Sequence, residues 1–163
     1  MSSPGIGRWS RRVLLALVLV ACSPFLALAV LAWGLYGLCL HVLLWLLWIP
    51  AGQRVLLVYS NSPLWQSYVE DTLVPRLPRG SVVLNWSERR RWRWWWLSTT
   101  AFRFFGGSRE FNPLAVVVRP FRRVRTFRFW RPFRDAKHGD YEALRTMETE
   151  FFRCLGVHHH DAT

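Results

Sequence analysis

Residues 13–53 contain no Asp, Glu, Lys or Arg, and the run is bounded by Arg11, Arg12 and Arg54. An uncharged apolar run longer than about 18 residues reads as a membrane segment. The N-terminus has features of a secretory signal: Arg8, Arg11 and Arg12 precede an apolar run, and Leu19-Val20-Ala21-Cys22 is similar to a lipoprotein cleavage box. After Cys22, however, the chain stays apolar almost to Arg54, where a cleaved signal would give way to a polar start. The segment is therefore read as retained, with the protein as an integral membrane protein.

Length decides how the run is expected to cross. A helix from Val13 to Ile49 would be about 55 Å long at about 1.5 Å per residue, against a hydrocarbon core of about 30 Å. Two short spans fit better than one straight one, with a turn near Gly34 and Gly37 or a break at Pro24. A hairpin is thus expected over one long tilted span. It also keeps both Arg-bearing flanks on one side, which places the following domain on the cytoplasmic face. Trp9, Trp45 and Trp48 lie near the ends, where aromatic rings mark the membrane interface. His41 is read as a polar group satisfied by a neighbour.

The predicted organisation is a basic tail (1–12), a membrane segment (13–50), a linker (51–53), a small α/β domain (54–156) and a disordered tail (157–163). Residues 54–59, 81–86 and 114–118 are continuous apolar runs rich in β-branched residues, as in strands buried on both faces. Residues 125–130 alternate Phe127 and Phe129 with Arg128 and Trp130, a half-exposed edge strand. Ser62 and Pro63 open a helix carrying Leu64, Trp65, Tyr68, Val69 and Leu73. A second helix is predicted over about residues 94–105, ended by Gly106 and Gly107. A third is predicted over residues 141–155, capped by Asp140 and ended by Gly156. Residues 131–139 read as loop. The fold class is a small, mainly parallel α/β sheet of three to four strands with flanking helices.

The element order β-α-β-α-β-β-α resembles a thioredoxin-like core, with Pro113 just before the third strand. The resemblance implies architecture only. The position after the first strand reads Asn61-Ser62-Pro63-Leu64, without cysteine, which excludes dithiol chemistry there. The three cysteines, Cys22, Cys39 and Cys154, form no C-x-x-C pair and no disulfide framework.

The formal net charge is +12, and residues 88–134 carry most of it: 13 Arg against Glu88 and Glu110, interleaved with 13 aromatic residues. Arg suits phosphate recognition and stacking on rings. Residues 89–96, comprising Arg89, Arg90, Arg91, Trp92, Arg93, Trp94, Trp95 and Trp96, are therefore read as a lipid-contact surface. There the Trp rings would settle at headgroup level and the Arg would meet anionic phosphate. Stacking on single-stranded nucleic acid is the competing reading. The short tether argues against nucleic acid, because lipid phosphates are already within reach. A membrane protein partner is the other occupant considered.

Ligands of open parallel sheets bind beyond the carboxyl ends of the strands. Ser60, Asn61, Ser62, Glu88, Ser108, Arg109 and Arg119 are accordingly expected to form an anion pocket for a phosphorylated or lipid-linked substrate. The sequence has no P-loop, G-x-G-x-x-G, H-E-x-x-H or G-x-S-x-G, and it assigns no catalytic residue, metal or cofactor. Arg131, Arg134, Asp135, Lys137, His138 and Asp140 read as a solvated loop pairing its own charges.

Overall fold

The structure is a computed structural model that describes residues 6–107 and 112–156. The chain divides into two compact units, Met1–Cys39 and Leu40–Thr163. A single helix, α1 (Ile6–Leu47), begins in the first unit and ends in the second. It has no break at Gly34, so the expected hairpin is replaced by one helix. Pro24 lies within it and does not end it. Proline lacks the N–H that would bond to the Val20 carbonyl four residues back, and the Ser23 hydroxyl donates to that carbonyl instead (2.8 Å). Residues 11–36 are exposed throughout, which is the surface an apolar solvent would cover.

The end of α1 is ordinary protein core. Leu40, Leu44 and Trp48 are buried, Leu44 completely, in a cluster with Leu56, Val58, Leu84, Ala101, Phe102, Leu114, Val116 and Val118. Burying each such side chain contributes about 1.5–3 kcal/mol. Trp48 is thus a core residue rather than an interfacial marker. His41 Nε2 accepts a hydrogen bond from the Val124 N–H (3.1 Å), and its ring meets Phe105 and Trp45 edge-on. The length problem that favoured two crossings disappears once these residues are assigned to the domain. Residues 13–39 span about 40 Å as a helix, which one tilted crossing of a core about 30 Å thick accommodates.

Strands β1 (Val55–Tyr59), β2 (Val82–Asn85), β3 (Leu114–Val117) and β4 (Arg125–Arg128) form one sheet in the order β2-β1-β3-β4. β1 and β2 are parallel, with Leu56 opposite Val82. β3 is antiparallel to β1, with Leu57 opposite Ala115, and β4 is antiparallel to β3. The sheet is therefore mixed, not mainly parallel. An apolar run buried on both faces looks the same in either direction, and the connection alone sets the sense of the strand.

Alternate residues of the strands serve two cores. Val55, Leu57, Ala115, Val117 and Phe127 face one way. On that side lie Val69 and Leu73 together with α4 (Trp130–Lys137) and α5 (Glu142–Leu155). Leu56, Val58, Leu114 and Val116 face the other way, under α3 (Leu97–Gly106) and the end of α1. The first predicted helix is short and mixed: α2 (Gln66–Tyr68) runs into a π-helical turn (Val69–Leu73) and a 3-10 turn (Val74–Arg76) before Pro78.

Residues predicted as loop form α4. Pro132 sits in its first turn, where a missing N–H costs nothing, and Phe129, Phe133 and Ala136 fall on one buried stripe. The two predicted glycine stops are in place: Gly107 and Gly156 follow α3 and α5 with φ of 71° and 72°. Asp140 Oδ1 accepts the Glu142 N–H at the start of α5 (3.2 Å).

Candidate functional site

The reversal of β3 divides the predicted anion pocket between two ends of the sheet. Ser60, Asn61, Ser62 and Glu88 lie where β1 and β2 end. Arg119 follows β3 and so lies at the opposite end, beside the start of β1, where the Val118 N–H donates to the Arg54 carbonyl (2.9 Å). Ser108 and Arg109 lie outside the described residues, as does the 157–163 tail.

At the β1/β2 end the polar groups bond to one another. The Asn61 N–H donates to Ser87 Oγ (3.0 Å), and the Asn85 side-chain amide donates to Asn61 Oδ1. The Ser87 N–H donates to Asn85 Oδ1 (3.0 Å), and the Trp65 indole to Ser60 Oγ (3.3 Å). Ser62 opens the turn leading to α2, with its carbonyl accepting the Gln66 N–H (3.0 Å). The Tyr59 hydroxyl donates to Glu70 Oε1 (2.8 Å). Burial, this bond and the Glu70 charge push its pKa up to about 12. Glu88 pairs with Arg91 (3.5 Å) on the exposed 3-10 turn Trp86–Arg91. This network ties the two strand ends together.

The Trp/Arg block separates into an inner and an outer half. Trp86 and Trp92 pack edge-on (5.6 Å between centroids), and both meet the Phe102 ring (5.5 and 5.8 Å). Trp92, placed by its sequence in the lipid-contact surface, is therefore a half-buried packing residue. Trp94, Trp95 and Trp96 are 68%, 60% and 45% exposed. The Arg93 guanidinium lies near the Trp95 and Trp96 rings (5.6 and 6.0 Å), and Arg89, Arg90, Arg91 and Arg93 are all exposed. Three bare indoles beside four guanidinium groups, on one short segment, make an amphipathic surface.

A second basic feature was not legible in the sequence. Arg54, Arg119, Arg122 and Arg153 line an open cleft of about 390 Å³ with Val117, Val118, Pro120, Cys154, Leu155 and Gly156. These four arginines come from the start of β1, the end of β3, the loop after it and the last turn of α5. No local motif links them. In the same loop Phe121 is 91% exposed and holds a left-handed φ of 54°, a rare conformation for a residue with a side chain.

Fold and site together define a small α/β domain, a mixed four-stranded sheet with helices packed on both faces and no cysteine after β1. Beyond that class, no protein-family model matches the chain, and no curated protein or solved structure matches it.

Proposed function

We propose that this is a membrane-anchored protein whose α/β domain docks on an anionic lipid surface through Trp94, Trp95, Trp96 and the neighbouring Arg89, Arg90, Arg91 and Arg93. The anchor is α1: residues Arg11–Leu47 form a helix long and apolar enough to cross a membrane. The observation that carries the docking surface is the exposure of three consecutive Trp beside four exposed Arg, while Trp86 and Trp92 of the same block are packed inward. Each basic residue near an anionic surface contributes about 1 kcal/mol, so the four Arg, less the Glu88 that pairs with Arg91, supply roughly 3 kcal/mol before the indoles are counted. Trp prefers the headgroup layer, where its ring is apolar and its N–H is hydrated.

The natural fragment for the test begins at Leu40, because a cut at residue 52 would remove Leu40, Leu44 and Trp48 from the core. Leu40–Thr163 should float with phosphatidylserine vesicles at low ionic strength and be released as salt rises. A Trp94→Ala/Trp95→Ala/Trp96→Ala variant should lose most of that binding while keeping its circular dichroism. Equal flotation of the two proteins refutes the docking surface.

The cytoplasmic placement is also proposed, because the anionic leaflet and the Arg block favour it. Arg8, Arg11 and Arg12 pull the N-terminus to the same side, and a single crossing cannot satisfy both. A reporter at the C-terminus that is active only in the cytoplasm decides, and an inactive reporter there overturns the placement.

A further inference from the structure

We propose that the cleft of Arg54, Arg119, Arg122 and Arg153 is a binding site for an anion carrying more than one phosphate, such as pyrophosphate or a bisphosphorylated headgroup. It lies at the opposite end of the sheet from Ser60 and Glu88, and it uses none of the residues of the Trp94 surface.

Three observations converge on it. The first is composition: four guanidinium-bearing side chains line one cleft and, among the described residues, no carboxylate does. Four other arginines of the domain do have an acidic partner: Arg76 with Glu148, Arg91 with Glu88, Arg125 with Glu150 and Arg134 with Asp135. Among the described residues, none of the cleft arginines has an ion-pair partner. Like charges gathered without counter-charge repel, and they are held here by the fold: the Val118 N–H to Arg54 carbonyl bond fixes two, the Arg122 N–H to Arg119 carbonyl bond (3.3 Å) a third, and α5 the fourth.

The second observation is an unmet donor. Arg119 Nε is buried and has no hydrogen-bond partner. A buried donor left unsatisfied costs about 1–3 kcal/mol, and a shift of the Arg119 side chain that brings it onto an oxygen acceptor in the cleft would recover this. The third is size. A volume of about 390 Å³ falls in the range of small-ligand clefts, about 300–1,000 Å³. Four guanidinium groups call for more than the charge of about −1.5 to −2 on one phosphomonoester, so two phosphates match better than one. The shared chemistry is the paired phosphate, free in solution or borne by a lipid.

The full chain in phosphatidylcholine nanodiscs is titrated calorimetrically with pyrophosphate, with orthophosphate and with a short-chain bisphosphorylated phosphoinositide. Pyrophosphate should bind at least about tenfold tighter than orthophosphate, as expected when a second charge-assisted contact is added. Arg153→Gln, at an exposed position that leaves the core intact, and Arg119→Gln should each weaken binding about tenfold or more. Arg89→Gln/Arg90→Gln should leave it within about twofold, since those residues lie outside the cleft. If the short-chain lipid shows these dependences and pyrophosphate does not bind, the source is a lipid headgroup. If pyrophosphate binds as tightly as the lipid, the source is a soluble phosphate. Absence of binding by both, or equal losses in the Arg153 and Arg89/Arg90 variants, overturns the site.

Discussion

The most discriminating single substitution is Leu44→Ala. Leu44 lies deep inside a run whose composition suits lipid, yet its side chain is fully buried among Leu56, Phe102 and Val116 of the domain. Truncating a buried Leu to Ala loses the transfer energy of the removed carbons and leaves a cavity, together about 3 kcal/mol. For a unit of this size that corresponds to a fall in Tm of roughly 10 °C. The comparison variant is Leu31→Ala, on the same helix at a position 59% exposed. It makes no core contact to lose, and its cost should stay within about 0.5 kcal/mol. Both are measured on the full chain in mild detergent by denaturant unfolding, with near-ultraviolet circular dichroism reporting the aromatic cores. Leu44→Ala should lower the midpoint with an unchanged slope, since the surface exposed on unfolding is nearly the same. If the two variants unfold within about 0.5 kcal/mol of each other, Leu44 is not a core residue and the division of α1 between anchor and domain is wrong.

Two further outcomes follow from the same packing. Trp92→Ala, which removes a ring held between Trp86 and Phe102, should destabilise the domain by about 2–3 kcal/mol, whereas Trp95→Ala should change stability by less than about 0.5 kcal/mol. Urea midpoints compare the two, and equal losses would contradict the inward and outward assignment. Tyr59 should titrate near pH 12, since burial and its bond to Glu70 favour the neutral phenol. The folded pKa is raised, so the stabilisation is complete below the unfolded value near pH 10 and is lost as pH rises through about 12. Tyrosinate absorbance of the native protein should show this late titration, and Glu70→Gln should move it earlier; an unchanged curve contradicts the pairing.

The four strands and the last helix were readable because their patterns are local. Residues 54–59 and 114–118 are apolar on both faces, Phe127 and Phe129 alternate with polar neighbours, and Gly156 closes α5. Strand direction was not readable, because it depends on how the chain crosses between β2 and β3. α4 was hidden by its charges and by Pro132, although the spacing of Phe129, Phe133 and Ala136 was a helical stripe in plain view. The lower part of α1 gave no such stripe: when every neighbour is apolar, Leu40, Leu44 and Trp48 do not stand out. The Arg cleft was illegible for a different reason. Its four members lie from position 54 to position 153, and only the reversed β3 brings Arg119 next to Arg54.

The burial of Leu40, Leu44 and Trp48 also restricts how the domain could be cut free of the exposed, apolar part of α1. The turn at residues 50–53 is the obvious place for a protease, being exposed at Pro50, Ala51 and Gly52. A cut there would leave one face of the sheet without three of its core side chains and expose Leu56, Val58 and Val116. Only cleavage upstream of Leu40 would yield a soluble fragment with both cores whole. A fragment cut from this protein with both cores whole should therefore begin with the last turns of α1.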